Sequence, residues 1–253
     1  MRIINALIIA FSTYSRLPMP QVEWTDDNRK YAMCFFPLIG GVIGLALGLW
    51  FVLCEAWGLT PFLRGAVGAI IPLLITGGIH MDGFMDTTDA LASWQPREKK
   101  LEILKDSRVG AFAVMGCAAY LMLMAAVLSE ADAAMGWTVG LSFILSRAMS
   151  AWTVTVFPSA HPNGMLDQMT RTAQKRMVTI SGIFYVAVCL IAWTLTKGWL
   201  VCLCAAAVAL HTLYYRRMAM KNFGGVTGDL AGWYSQTMEL LLVSVVVLGG
   251  KLL

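Results

Sequence analysis

Charge is scarce in this sequence. Asp, Glu, Lys and Arg make up 13% of its 253 residues, against about a quarter in a soluble domain, while 58% are hydrophobic. Histidine is scarcer still, at three residues, and no cysteine pair stands at zinc-ligand spacing, alone or with a histidine. The six cysteines, Cys34, Cys54, Cys117, Cys189, Cys202 and Cys204, all fall inside apolar runs and read as small buried hydrophobes. No small-residue cleavage site follows the short apolar opening "MRIINALIIAF", so it does not read as a removable secretory signal. Internal repeats, low-complexity tracts and linkers are also missing, which leaves one domain over residues 1–253.

Long apolar runs are what the sequence has instead. A span needs about 20 mostly apolar residues to cross a hydrocarbon core about 30 Å thick. Seven stretches qualify, roughly 31–54, 61–80, 109–129, 137–157, 177–196, 199–215 and 234–252. The segment 3–17 is amphiphilic and is expected to lie at the interface or re-enter. Such runs are too long for strands, and lipid admits only helices or closed barrels. The expected fold is therefore an all-α, polytopic membrane bundle of about seven transmembrane helices plus an N-terminal interfacial segment.

Lys and Arg fall almost entirely on alternate segments. Residues 1–30, 81–108, 158–176 and 216–233 carry fifteen of the nineteen; the opposite loops and C-terminus hold only Lys197 and Lys251. By the positive-inside rule the N-terminus and the polar loops face the cytoplasm and the C-terminus faces outward.

The few acids are not spread out. "GGIHMDGFMDTTDA" (77–90) places Asp82, Asp86 and Asp89 within eight residues at the end of an apolar run. On a helix they stand at about 0°, 40° and −20°, on one face. At about 6 Å and an effective dielectric of about 20, each pair repels by roughly 3 kcal/mol. Basic neighbours such as Arg97, Lys99 and Lys100, or a divalent cation, can balance them. Magnesium takes one or two carboxylates and leaves room for water and substrate phosphate. "KDSRVGAF" (105–112) adds Lys105 and Arg108 as phosphate contacts, Asp106 as a further acid, and Gly110 for close backbone approach. His80 is a candidate donor beside them.

"GGVTGDLAGWYSQTMEL" (224–240) reads as a second wall, with Gly228, Asp229 and Gln236 on it and Glu239 entering the membrane. Arg147, deep in a span, is expected to pair with an acid such as Glu239 or with phosphate. Arg16 stands where "FSTYSRLPMP" re-emerges into water, and Pro37 in "YAMCFFPLIGG" suggests a kink.

In order and spacing these segments resemble the cobalamin synthase family, the adenosylcobinamide-GDP ribazoletransferases of the bacterial inner membrane, over nearly the whole chain. The resemblance implies a magnesium-dependent transferase in the nucleotide-loop assembly step of cobalamin (vitamin B12) biosynthesis. It would join α-ribazole or its 5′-phosphate to adenosylcobinamide-GDP and release GMP, at a site facing the cytoplasm. It further implies Mg2+ on Asp82, Asp86 and Asp89, with Asp229 an alternative ligand, and a catalytic set of Asp82, Asp86, Asp89, Asp106 and Arg108. Asp89 is the expected general base. Substrate contacts are expected from Lys105, His80, Arg16, Arg147, Gly228, Asp229 and Gln236. The expected partners are the two substrates and the lipid bilayer, with a homo-oligomer or corrinoid-pathway enzymes as candidate protein partners and no nucleic acid.

Three positions depart from the family's pattern. "GDLAGW" stands where Gly-Asp-Thr-Leu-Gly-Ala is usual, His161 of "PSAHPNG" where arginine is common, and Ala90 where glycine is frequent. Two other classes compete. A CDP-alcohol phosphatidyltransferase shares Asp-Gly at Asp82-Gly83 but requires an Ala-Arg and a later aspartate pair that are missing here. A cation-coupled transporter would carry acids near mid-bilayer on repeated helices, whereas these gather on one side.

Overall fold

In lipid a backbone amide finds no water, so each spanning segment satisfies its own hydrogen bonds as a helix. A computed structural model describes residues 2–160 and 170–251, and their regular structure is helical. The helices are α1 (Arg2–Tyr14), α2 (Asp26–Arg29), α3 (Ala32–Ala56), α4 (Pro61–Thr76), α5 (Ile79–Ala92), α6 (Arg97–Ile103), α7 (Ala111–Ser129), α8 (Ala133–Val156), α9 (Lys175–Lys197), α10 (Leu200–Asn222) and α11 (Gly228–Lys251). His161 lies outside the described residues.

At the centre α3 and α8 meet backbone to backbone. A Cβ on Gly44 would stand 2.8 Å from the Gly140 carbonyl oxygen, and one on Gly140 would stand 2.8 Å from Gly44 Cα. Small residues permit this approach, and close van der Waals contact is what holds helices together where lipid removes the hydrophobic drive. Ile39, Ile43, Leu47 and Phe51 on α3, with Val139 and Phe143 on α8, are fully buried around the contact. Pro37 sits inside α3, which continues on both sides of it.

The spans differ from the expected seven at two places. Five described helices, α3, α7, α8, α9 and α11, are long and apolar enough to cross a membrane. The run expected at 61–80 breaks instead. Gly77 and Gly78 take φ values of +68° and +82°, a region open to glycine, and α5 leaves α4 at 100°. Counted as one span, this bent pair makes six. The run expected at 199–215 is a 23-residue helix, α10, but does not meet the same length-and-apolarity test. Its last turns carry Arg216, Arg217 and Lys221. Its inner side is polar too, since His211 bonds Thr237 at 2.9 Å and Thr212 bonds Tyr234 at 2.7 Å on α11. The N-terminal segment is α1, at 13 residues about 20 Å long and too short to span. Its inner face docks in the core, with Ile9 and Ala10 fully buried and Tyr14 4.7 Å from the Phe36 ring.

One ion pair lies wholly inside. Arg147 Nη1 on α8 donates to Glu239 Oε1 on α11 at 2.5 Å, and neither side chain has exposed surface. Ser146 Oγ donates to the same oxygen at 3.3 Å, while Arg147 Nη1 also reaches the Phe143 carbonyl at 3.1 Å. Removing one partner strands the other charge, so Arg147→Met alone is expected to cost about 3–5 kcal/mol. Arg147→Met with Glu239→Leu should recover most of that loss, read as the unfolding midpoint in detergent. Equal midpoints for single and double variants would show the pair to be uncoupled.

Candidate functional site

The site forms where α5, freed from the membrane axis by the glycine elbow, crosses the first turn of α11. Gly83 allows the crossing: a Cβ there would fall 2.8 Å from both Asp229 Cα and the Asp229 carbonyl oxygen. Gly232, one turn along α11, similarly faces the His80 carbonyl oxygen at 2.8 Å. These two glycines bring Asp229 beside Asp82 and Asp86. The first turn of α11 is capped by Thr227, whose Oγ1 accepts from Leu230 N at 3.2 Å and donates to Asp229 Oδ2 at 3.4 Å. Asp229 therefore stands inside the helix rather than capping it, near the positive end of the helix dipole. Gly228 is exposed, with open space where a side chain would be.

Asp82 is exposed, while Asp86 and Asp229 are half-buried. Partial burial pushes Asp86 up to about 6, and the charges of Asp82, Asp229 and Asp89 push the same way. Its four causes all favour the proton, so this acid lacks a counter-charge. Among the described residues no three His, Cys, Asp or Glu side chains come together closely enough to hold a metal ion. The donors at the crossing are all carboxylate oxygens, the ligand type magnesium takes, and they are few enough to leave positions for water and phosphate. A pair of carboxylates could hold magnesium only as an open site that water and substrate phosphate complete.

Asp89 has a different occupation. Its Oδ2 accepts from Gly110 N at 2.6 Å and its Oδ1 from Ala113 N at 2.8 Å. It caps α7 from another helix and fixes the α7 N-terminus beside the acid cluster. Asp89 is the residue expected as general base; here both of its carboxylate oxygens are taken up by backbone amides at the start of α7. The cap is a role that sequence reading missed, although Gly110 was noted; nothing in the spacing shows that residues 89 and 110 meet.

The other expected residues divide by exposure. Lys105 and Arg108 are exposed in the loop before α7. Arg108 grips Asp106 through Nη2–Oδ2 at 2.8 Å and Nε–Oδ1 at 3.0 Å, and this pairing holds the Asp106 carboxyl below its usual range. Arg16 is exposed at the elbow, its amide donating to the Ile75 carbonyl at 2.8 Å and its stem packed over Gly77. Two of the basic neighbours expected to balance the acids instead brace the loop before α11: Arg97 lies over Gly224, and Lys100 Nζ donates to Asn222 Oδ1 at 2.7 Å.

His80, Arg147 and Gln236 face inward, which corrects their reading as substrate contacts. His80 is 5% exposed, stacked with Phe36 at 5.4 Å and Tyr14 at 6.2 Å between ring centres. Two residues from Asp82 on a helix is about 200°, so the two point to opposite sides. Gln236 is 2% exposed, two turns below Asp229, and Arg147 is committed to Glu239.

The architecture defines a multi-pass helical membrane protein with an open acidic site at one end, ringed by two helix N-termini and exposed basic side chains. The chain belongs to the cobalamin-5-phosphate synthase family, whose pattern it matches over residues 6–247. It is similar to an adenosylcobinamide-GDP ribazoletransferase of Lachnoclostridium phytofermentans, 39% identical over 98% of this chain and 95% of that protein. Proteins of the same description from Desulfitobacterium hafniense, 32% identical over 94% of each chain, and Brevibacillus brevis, 31% identical over 96% and 98%, are also similar. No solved structure matches the chain.

The Asp89 cap is testable by itself. Asp89→Asn places an amide group against a backbone N–H and should loosen the first turn of α7 by about 1–2 kcal/mol. Hydrogen–deuterium exchange over residues 110–114 is expected to quicken; unchanged protection would remove the capping role.

Proposed function

We propose that this protein transfers α-ribazole, or its 5′-phosphate, onto adenosylcobinamide-GDP with release of GMP, giving adenosylcobalamin or its 5′-phosphate. The reading is carried by one observation: a chain of this family gathers Asp82, Asp86 and Asp229 at a glycine crossing open to water. The steep Lys and Arg asymmetry supports a cytoplasmic position for the site, in the bacterial inner membrane, with the C-terminus outward.

In this reading Asp86 together with Asp82 or Asp229 would hold Mg2+, with Asp89 buttressing the α7 side. When bound, magnesium neutralises the bridging and leaving oxygens of the diphosphate. The amides at the starts of α7 and α11 and the exposed Lys105, Arg108 and Arg16 meet the remaining phosphate charge. The ribazole hydroxyl oxygen forms a bond to the corrinoid-side phosphorus as the bond to GMP breaks. The carboxylate of this set that is left off the metal takes the hydroxyl proton. Gly228 leaves the space that lets a bulky corrinoid approach the backbone.

The assay is GMP release from GDP-activated cobinamide and α-ribazole in membranes. Asp82→Asn and Asp86→Asn should each lose about 100-fold or more, and full activity in either would end the assignment. The pH dependence has a defined sign. Because the Asp86 carboxyl is raised to about 6, its proton competes with Mg2+ as pH falls below that value. The Mg2+ concentration for half-maximal activity is therefore expected to climb between pH 6 and pH 5 and to flatten above pH 7. A requirement constant from pH 5 to pH 8 would exclude Asp86 as a ligand.

A further inference from the structure

On the flank away from the acids, α8, α9 and α10 enclose a groove of about 460 Å³ whose walls are almost entirely apolar. This is the volume range of small-molecule sites. On α10 it is lined by Ala205, Ala209, Leu213 and Arg216, at spacings of four, four and three, which is a single helical face. Small residues at Ala205 and Ala209 make the depth; Met149 of α8 and Leu190 of α9 form opposite walls. From Ala205 to Arg216 the helix rises about 16 Å, close to half of a hydrocarbon core about 30 Å thick. The groove is thus about as long as one leaflet is thick.

Its mouth is charged. The Arg216 guanidinium lies 5.7 Å from the Phe157 ring centre and forms no ion pair among the described residues, and Arg217 and Lys221 beside it are exposed. The mouth is at the same end of the bundle as the acidic site. Phe157 leads directly into Pro158, whose carbonyl accepts from Val226 N at 2.8 Å, three residues before Asp229. A guanidinium at the interface above an apolar slot one leaflet deep matches a phosphate above an acyl chain.

We infer that this groove is a binding site for one anionic glycerophospholipid, its acyl chain between α8, α9 and α10 and its phosphate on Arg216. The basic mouth selects a net negative headgroup over a zwitterionic one by charge complementarity. This site is independent of the ribazole reading.

The test uses the full-length protein, purified in mild detergent, delipidated, and offered phosphatidylglycerol or phosphatidylcholine of identical chains, with bound lipid counted by native mass spectrometry. One phosphatidylglycerol per chain should be retained in preference to phosphatidylcholine. Arg216→Gln is expected to cut phosphatidylglycerol retention about fivefold and to abolish the headgroup preference. Ala209→Phe, which fills the slot, should reduce retention of both lipids, whereas Arg217→Gln should leave the preference in place. The two altered positions lie at opposite ends of a lipid-facing surface, so if one variant fails to fold the other still decides. Equal retention of the two lipids by the unaltered protein, or unchanged retention in Arg216→Gln, would overturn the site.

Discussion

Like charges held together need a force to hold them, and here that force is backbone packing at the α5–α11 crossing. Gly83 and Gly232 let one helix lie against the other with no side chain between them, and the acids are carried along on the rigid elements. Repulsion of roughly 3 kcal/mol for each close carboxylate pair is borne by a contact buried on its other side, where Met81, Phe84 and Leu230 join the core. Burial first, and then the charges of Asp82, Asp229 and Asp89, push the Asp86 carboxyl up to about 6. A cation or the cationic surroundings of a phosphate complex relieve that repulsion, so binding energy has somewhere to come from.

The polar groups of α11 are sorted by depth. Asp229 meets water in the first turn, Gln236 is enclosed two turns in, and Glu239 lies fully buried against Arg147. The deepest acid is matched by a fixed cation and one further donor, Ser146; the shallowest is left open. This separates a structural ion pair from a reactive cluster on one helix. Stacking of His80 on the Tyr14–Phe36 ring pair anchors the start of α5, and the Asp89 cap ties its end to α7. The helix carrying the acids is thus fixed at both ends before any ligand arrives.

Membership in the cobalamin-5-phosphate synthase family gives this arrangement a chemical context in which the GDP-activated corrinoid is large and anionic at its diphosphate. A shallow, water-facing site at the membrane edge suits it better than a deep pocket would. The bilayer then acts as a scaffold: it turns the apolar runs into helices and leaves the acidic helix at the surface, while the groove beside α10 offers the lipid itself a fitted place. Arg216 and the acid cluster occupy the same end of the bundle on opposite flanks, so cationic and anionic functions do not neutralise one another.

Much of this was legible in the amino-acid order. Apolar runs dictated helices because lipid offers the backbone no alternative, and the spacing of Asp82, Asp86 and Asp89 placed them on one helix. "KDSRVGAF" and the glycines before α11 marked the neighbouring walls, and the depth of Arg147 implied its acidic partner. What the order could not show is which polar side faces which cavity. The break at Gly77–Gly78 turned an apparent span into an elbow, because a run of apolar residues does not reveal where the axis bends. His80 and Gln236 turned inward and Asp89 became a cap for α7, since these roles rest on contacts between residues far apart in the chain. Periodicity reports the face of a single helix; only packing of several helices decides what that face meets.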